Sequence, residues 1–268
     1  QFIEKRFDVV IPAISPWHRA VSSDLSSAFD FESPNDPSFP ALPDMSDFEQ
    51  RDEASKLLPK AMAPEHPSKL FQEKGSVFSR ALPYVLYCHA QALQKKRKLQ
   101  LVFDNRGKKG AVYHVYDMHN LERIPRRYTV EAGKQLDDEW DLSENSGAYH
   151  LEVFGPNGFF QSFKGTVDSA EPRVRLEYNH EDGALNIHLE NQGKKSIDVQ
   201  IVDNAYGSGT ENLGIAPRTK ARKKYQLAKS GHWYDYSLST PSGMEYRFAG
   251  RIETGKDSIT DPAMAQHL

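Results

Sequence analysis

Three histidines, His114, His119 and His150, are the side chains of this sequence best suited to bind a metal ion. His114 and His150 fall on the polar phase of stretches in which apolar and polar residues alternate, as in a half-buried strand. No carboxylate accompanies them at the spacing of metal ligands, and zinc needs three or four ligands that converge. We therefore expect no metal site and no cofactor in this chain, and we interpret the histidines as surface residues of strands.

A nucleophilic triad is the second chemistry that the residue types allow. His18 and Asp24 stand close in sequence to four serines, Ser22, Ser23, Ser26 and Ser27. On one short helix these spacings point in different directions, and the nucleophile motif GxSxG is absent. The polar face of a helix is the favoured interpretation, and we expect no catalytic residue here.

The stretch DNRGKKG, residues 104–110, has two interpretations, a phosphate-binding loop or a turn between two strands. A phosphate-binding loop requires the spacing GxxxxGK[ST] and a helix directly after it. Here the alternating stretch AVYHVYD follows, and the related NQGKKS occurs at residues 191–196. The sequence therefore favours a turn in which Asn and Gly supply the backbone geometry and the lysines remain in water.

Basic residues concentrate in three clusters, QKKRK at 94–98, ERIPRR at 122–127 and PRTKARKK at 217–224. Anionic phospholipid surfaces attract each nearby cation by roughly 1 kcal/mol, so these clusters are candidates for lipid docking. Two alternatives remain open: lysines that keep edge strands from aggregating, and a basic surface that binds the acidic segment of this chain. The candidate docking residues are Arg123, Arg126, Arg127, Lys220, Arg222, Lys223 and Lys224.

The composition excludes several classes of protein. A net charge of −3 over 268 residues argues against a general nucleic-acid binder, so no nucleic acid is expected as a partner. No apolar run approaches the ~18 residues of a transmembrane helix, and the single cysteine, Cys88, excludes an internal disulfide. With 38% hydrophobic and 26% charged residues, the sequence is typical of a globular protein with room for two small domains.

Residues 1–31 predict two short helical pieces. Ser15 is suited to cap the second helix and Pro16 to begin it. An apolar stripe with a four-residue spacing follows, formed by Trp17, Val21, Leu25 and Phe29. Because two short helices cannot bury such a stripe alone, we expect this segment to be the end of a larger upstream domain.

Residues 32–80 predict a linker, because they contain seven prolines, with an eighth at Pro83 just beyond. Between residues 30 and 66, nine acidic residues outnumber three basic ones. This part therefore carries −6 and the remainder of the chain +3. One short helix is predicted within the linker, around DFEQRDEASKLL.

From about residue 82 apolar and polar residues alternate, with a turn signal every eight to twelve residues, as in a β-sandwich. The pattern occurs twice, since LQLVFDNRGKKGAVYHVYD at 99–117 is echoed 86 residues later by LNIHLENQGKKSIDVQIVD at 185–203. We predict two tandem Ig-like antiparallel β-sandwiches of about seven strands each. Their expected bounds are 81–167 and 168–254, followed by a C-terminal tail at 255–268.

Three stretches resemble the C-terminal part of the bacterial phosphocholine-preferring phospholipases C, which belong to the acid-phosphatase-like phosphoesterase superfamily. They are ISPWHRAVSSDLSSAFDF, FQEKGSVFSRALPYVLYCHA and VYHVYDMHNLERIPRRYTVEAGKQLDDEW. The resemblance covers essentially the whole chain; PRRYTVEAGK is its most specific element, and the second copy keeps little of it. In that family a large α/β catalytic domain precedes two small β-domains, which implies that residues 1–31 end the catalytic domain.

The resemblance implies a secreted or periplasmic enzyme that hydrolyses phosphatidylcholine or sphingomyelin to phosphocholine and diacylglycerol or ceramide. The nucleophile and metal ligands of that family lie in upstream motifs, so no catalytic residue can be assigned in this chain. A divalent metal, where one is used, belongs to the upstream domain. We expect this chain to be inactive alone, and to support the catalytic domain or dock it on a phospholipid surface. The alternative is a free-standing β-sandwich module that binds a lipid or glycan surface.

Overall fold

Antiparallel strands are the main regular element of the computed structural model, which describes residues 1–34, 38, 41–63, 65 and 75–264. The prediction of a mostly β fold is therefore confirmed. Parts of the predicted linker (35–37, 39–40, 64 and 66–74) and the end of the predicted tail (265–268) lie outside the described residues. In the described part, no helix combines the length and apolar character needed to cross a membrane.

The described α-helices are short and precede the large sheets. They are α1 (Phe2–Phe7), α2 (Pro16–Val21) and α3 (Phe48–Lys56). The third coincides with the helix predicted within the linker. It is exposed along its length and is supported by ion pairs between neighbouring turns, such as Arg51 with Asp47 at 2.6 Å.

The strands of the described chain fall into two sets of seven, flanked by a short pair. The pair is β1 (Phe78–Ser79) with β16 (Ser258–Ile259). The first set is β2 (Leu86–Leu93), β3 (Lys98–Asn105), β4 (Ala111–Asp117), β5 (Arg126–Val130), β6 (Lys134–Asp141), β7 (Ala148–Phe154) and β8 (Phe160–Thr166). The second set is β9 (Arg173–Asn179), β10 (Ala184–Glu190), β11 (Ile197–Asp203), β12 (Thr210–Ile215), β13 (Lys220–Tyr225), β14 (Trp233–Ser239) and β15 (Glu245–Arg251).

Each set folds into two sheets whose apolar faces pack together. In the first set β2-β3-β6 faces β5-β4-β7-β8, and in the second β9-β10-β13 faces β12-β11-β14-β15. Alternation supplies the core, because every second side chain of a strand points to the same face. The ring of Phe103 on β3 lies 5.0 Å from that of Tyr113 on β4, between centroids. In the second set Tyr225 on β13 and Tyr236 on β14 are 4.3 Å apart.

The two sets share one continuous sheet. Strand β8 pairs with β15, which gives an eight-stranded sheet in the order β12-β11-β14-β15-β8-β7-β4-β5. Ser162 stands opposite Arg247, and these residues are 85 positions apart, as are the repeated Gly165 and Gly250. The same strand of each copy thus pairs with its counterpart, so a pseudo-twofold axis passes between Ser162 and Arg247.

The repeated Asn-x-Gly turn is built identically in both copies. Asn105 is fully buried; its Nδ2 donates to the carbonyl oxygens of Lys109 (2.8 Å) and Val130 (2.9 Å), and its Oδ1 accepts from Gly107 N (3.0 Å). Asn191 makes the equivalent three bonds. A Cβ at Gly107 would lie 2.5 Å from the carbonyl oxygen of Pro83, which explains the glycine. The turn interpretation of DNRGKKG holds, with Lys108 exposed.

The predicted stripe of residues 17–29 does not form one helix. Ser15 caps α2 as predicted, with its Oγ accepting from His18 N at 3.3 Å. The helix ends at Val21, however, and Leu25 has a left-handed backbone with φ of 61°. Short polar side chains in this segment bind nearby backbone N–H groups, such as Asp24 Oδ1 with Ser26 N at 3.0 Å, and so compete with helical hydrogen bonds.

We expect Asn105→Ala to lower the free energy of unfolding by about 2–3 kcal/mol, because it leaves buried backbone groups without partners. Asn191→Ala should have a similar effect. Since one sheet spans both copies, each variant should shift a single transition in urea. Gln192→Ala, at an exposed position of the same turn, is the control and should change little. Two resolved transitions, only one of which moves, would contradict cooperative unfolding through the shared sheet.

Candidate functional site

The three histidines lie on the solvent side of the shared sheet and the loop beside it. The rings of His119 and His150 are 6.2 Å apart between centroids, and His150 Nε2 lies 4.0 Å from Glu152 Oε1. Burial lowers the pKa of His150, which favours the neutral form of its ring. Among the residues that the structure describes, no group of three or more His, Cys, Asp or Glu side chains is placed to hold a metal ion.

The polar residues of the N-terminal segment hold its backbone in place. The Nδ1 of His18 lies 2.8 Å from Ser15 Oγ, beside the helix cap. Asp24 accepts hydrogen bonds from Ser26 and Lys5, and these bonds, that from the Ser26 hydroxyl first, hold its pKa below the usual range. His18 and Asp24 therefore have separate partners and are not assembled as a triad.

The basic residues of β13 each face a carboxylate. Lys224 Nζ lies 2.7 Å from Asp182, and Arg222 binds the amide oxygen of Asn186 at 2.9 Å. The remaining contacts are Arg222 with Glu177 at 3.8 Å, Lys220 with Glu190 at 3.8 Å, and Lys223 with Glu211 at 2.5 Å. The strand is rich in cations, but the charge of this surface is balanced locally.

Two of the three candidate arginines in the first copy are also paired. Arg123 contacts both Asp117 and Glu144. Arg126 binds Asp138 at 2.8 Å and lies over the ring of Trp140, with its guanidinium carbon 4.0 Å from the centroid.

Arg127 differs from the other candidate docking residues. It is exposed, stands opposite His114 in the pairing of β4 with β5, and has no ion pair with any residue of the described ranges. Of the seven candidates, it is the cation whose charge remains available to a ligand.

The pair of Arg126 with Asp138 has a counterpart of opposite polarity. Val130 and Ile215, the acceptors of the two buried asparagines, are 85 residues apart. With the same offset of 85 residues, Arg126 of the first copy corresponds to Glu211 of the second, and Asp138 corresponds to Lys223. Each copy therefore joins the edges of its two sheets with an ion pair, and the charges are exchanged between the copies. Such an exchange indicates that the pair itself matters to the fold and that the cation alone does not.

An apolar groove lies beside Arg127 on the outer face of the shared sheet. It encloses about 460 Å³ and is lined by His114, Tyr116, Met118, Leu121, Glu152 and Phe154. The rings of Tyr116 and Phe154 meet edge to face at 5.5 Å. The loop of residues 118–125 contributes Met118 and Leu121 to this lining, and it exposes Leu121 (64%) and Ile124 (84%). Sequence reasoning from charge alone missed these two residues, although their position beside the arginines of LERIPRR is a usable signal.

The N-terminal segment is fastened to the first copy beside this groove. Trp17 Nε1 donates to Thr129 Oγ1 at 2.9 Å, and Gly110 N donates to the carbonyl oxygen of Ala20 at 2.9 Å. Within the segment, Arg19 holds both oxygens of Glu4, at 2.7 and 2.8 Å, and this contact together with a bond from Ile11 N lowers the pKa of Glu4 to about 2.

An aromatic cluster on the N-terminal segment faces solvent. The ring of Phe29 stacks on Phe2 at 5.0 Å and on Phe31 at 5.8 Å. Phe29 is 48% exposed and Phe31 75%. A patch of this kind marks a contact surface for another apolar surface.

Comparison with known proteins identifies relatives along almost the whole chain. The family model described as bacterial phospholipase C, C-terminal domain, matches twice, over residues 78–166 and 172–251. A non-hemolytic phospholipase C of Pseudomonas aeruginosa is 41% identical over 98% of this chain and 40% of its own length. A non-hemolytic phospholipase C of Burkholderia pseudomallei is 38% identical, over 99% of this chain and 39% of its own length. A hemolytic phospholipase C of P. aeruginosa is 33% identical, over 98% of this chain and 41% of its own length. The chain thus spans about 40% of the length of these relatives.

The exchanged ion pairs can be tested in the second copy. Glu211→Lys places two cations together and should lower the melting temperature by a few degrees, since such pairs contribute about 1 kcal/mol. Adding Lys223→Glu restores the pair in the polarity of the first copy and should recover most of the loss. Glu211→Gln removes the attraction without adding repulsion, so its melting temperature should lie between those of the wild type and Glu211→Lys. A double variant no more stable than Glu211→Lys would show that the two side chains do not form a structural pair.

The contact of Glu4 with Arg19 predicts how attachment of the N-terminal segment depends on pH. The folded-state pKa of Glu4 is lowered from 4.5 to about 2, so the contact stabilises the segment fully above pH 4.5 and is lost as the pH falls toward 2. The indole N–H resonance of Trp17, assigned with Trp17→Phe, should therefore shift over this range. Glu4→Gln should show the shifted resonance already at pH 6, whereas the exposed control Glu32→Gln should not.

Proposed function

The chain belongs to the bacterial phospholipase C C-terminal domain family, as the resemblance in its sequence predicts, and on that premise we propose that it is the accessory region of a phospholipase C. In this proposal an upstream catalytic body cleaves phosphatidylcholine or sphingomyelin and releases phosphocholine. The present chain supports that body and does not cleave lipid itself. The whole enzyme would act outside the cytoplasm, as a secreted or periplasmic protein, and any divalent metal would be bound upstream.

The N-terminal segment is the observation that carries the proposal. It is fastened to the first β-sandwich through Trp17 and Ala20, and it exposes the aromatic cluster of Phe29 and Phe31 to solvent. An upstream catalytic body that covers this aromatic cluster would be held against the sandwich by apolar contact. Covering apolar surface contributes about 25 cal/mol per Å², so burial of this cluster would favour one orientation of the attached domain.

The proposed division of the chain follows from this role. Residues 1–31 would complete the catalytic domain, 32–80 would form the linker, and 81–167 and 168–254 would form the two sandwiches, with a tail at 255–268. The double match of the family model, over 78–166 and 172–251, supports these bounds for the sandwiches. The linker returns the chain to the first sandwich, so the N-terminal segment and the sandwich form a contact that the linker tethers.

The accessory role predicts that the isolated chain does not hydrolyse a chromogenic phosphocholine ester, with or without added divalent metal ions. In the complete enzyme, Phe29→Asp with Phe31→Asp should lower the melting temperature by several degrees, because charge is placed in an apolar contact. Glu32→Gln, which lies beside the cluster and changes no apolar surface, is the matched control. Metal-dependent turnover by the isolated chain would contradict the accessory role. An unchanged melting temperature of the complete enzyme would contradict the proposed contact.

A further inference from the structure

The loop that joins β4 to β5, residues 118–125, presents two large aliphatic side chains to solvent. Leu121 is 64% exposed and Ile124 is 84% exposed. Isolated exposed apolar residues are common in proteins, but Leu121 itself lines the apolar groove with Tyr116, Met118 and Phe154, and Ile124 follows three residues later in the same loop. We call the groove and the two exposed side chains of this loop, at one end of the shared sheet, the β4–β5 apolar surface.

The loop is held in shape without any contribution from its exposed aliphatic residues. Asn120 N donates to the carbonyl oxygen of Asp117 at 3.0 Å, and Arg123 N donates to that of Asn120 at 3.2 Å. The guanidinium of Arg123 contacts both Asp117 and Glu144, which ties the loop to its surroundings. Leu121 and Ile124 are therefore presented by an ordered loop, and an ordered loop loses little conformational entropy when it binds.

The second copy shows that the fold does not require these residues. The equivalent loop, residues 204–209, reads NAYGSG and is two residues shorter. Asp203 organises it by accepting from the backbone N–H groups of Ala205, Tyr206 and Ser208. Its one large side chain, Tyr206, donates its hydroxyl hydrogen to Asp261 at 2.8 Å. The same topological position is thus polar in one copy and apolar in the other, so the apolar side chains serve something outside the fold.

The charges around the loop indicate what the partner is. Arg123 and Arg126 are neutralised by acidic residues, and of these three arginines Arg127 is the one without an ion pair to a described residue. A surface that binds a strongly anionic partner carries several unpaired cations, and the surface around this loop has no such surplus among its described residues. One available arginine beside aliphatic and aromatic side chains suits an interface that is apolar inside and carries phosphate groups at its edge.

We propose that the β4–β5 apolar surface docks on a phospholipid bilayer rich in phosphocholine headgroups. Leu121 and Ile124 enter the acyl region, Tyr116 and Phe154 lie at the level of the headgroups, and Arg127 binds a lipid phosphate. The inference rests on the proposed accessory function, in which this chain works beside a catalytic body that needs access to lipid. It differs from docking through basic clusters, because apolar insertion supplies most of the binding.

The location of the surface leaves room for an upstream domain. The N-terminal segment contacts the beginning of β4, at Gly110, and Thr129, which pairs with Val112. The loop follows the other end of β4, at Asp117. Six residues of extended chain separate the two ends by about 20 Å. A body attached at the N-terminal segment therefore need not cover Leu121 or Ile124.

Sedimentation of the 268-residue chain with phosphatidylcholine vesicles, at low and at 0.5 M salt (about a 4 Å Debye length), tests the proposal. The wild type should bind at both salt concentrations. Leu121→Ser with Ile124→Ser should reduce the partition coefficient roughly ten- to a hundredfold, and Arg127→Gln only severalfold. Leu136→Ser, which removes an exposed leucine from β6 in the other sheet of the same sandwich, is the matched control and should bind like the wild type. Only variants whose melting temperature equals that of the wild type are included in this comparison, so that loss of binding does not reflect unfolding.

Insertion itself can be measured with a fluorescent probe. Cys88 is buried, and its burial raises the pKa of the thiol, so a cysteine introduced as Ile124→Cys is labelled selectively. A polarity-sensitive dye there should shift to the blue on phosphatidylcholine vesicles, whereas the same dye at Ser208→Cys in the second-copy loop should not.

Three outcomes would overturn the proposal. They are wild-type binding by the Leu121, Ile124 double variant, binding that requires anionic lipid and disappears at 0.5 M salt, and an Ile124 probe that remains in water. Each leaves the accessory role intact, because that role fails only if the isolated chain hydrolyses the ester or the aromatic cluster has no partner. The two proposals therefore fail separately.

Discussion

The antiparallel pairing of β8 with β15 joins seven strands to seven, and the shape of the described molecule depends on it. The pairing places Phe163 beside Tyr246 and Ser162 beside Arg247, and it makes two four-stranded sheets into one of eight. It also covers two edges that would otherwise expose unpaired N–H and C=O groups. On the opposite sheets the rings of Tyr87 and Tyr178 stack at 4.4 Å, so the copies touch in both layers. The outer face that results spans eight strands, and it carries both the N-terminal segment and the β4–β5 apolar surface.

Ion pairs between side chains determine how much of the positive charge on the surface is available to a partner. The chain contains many Lys and Arg residues, yet most of those in the basic clusters lie within 4 Å of a carboxylate. The exchange of polarity between Arg126 with Asp138 and Lys223 with Glu211 shows why counting cations is a weak guide to function. A cation held in such a pair contributes to the contact between two strands, and its charge is largely unavailable to a partner. Exposed apolar residues such as Ile124 are a more informative feature of this surface.

Much of the fold could be predicted from the sequence, because its signals are local. Alternation identifies strands, and Asn105 with Gly107, repeated as Asn191 with Gly193, identifies both the turn and the duplication. The pairing of β8 with β15 could not be predicted, since an edge strand and a central strand show the same alternation. The ion-pair partners of the basic residues could not be predicted either, because they depend on which strands are neighbours in the sheet. Arg222 meets Glu177, 45 residues earlier in the chain, only because both strands border β10.

The pseudo-twofold axis between Ser162 and Arg247 has a consequence for how the copies can change. A contact between identical strands about a twofold axis is the kind that two separate, identical chains make in a symmetric dimer. When the two halves belong to one polypeptide, their association no longer depends on protein concentration. Each half is also encoded separately, so the two sequences are free to differ. Each half can then vary alone. One loop carries Leu121 and Ile124, whereas its counterpart NAYGSG is shorter and has neither, so a symmetric scaffold presents the aliphatic pair on one side only.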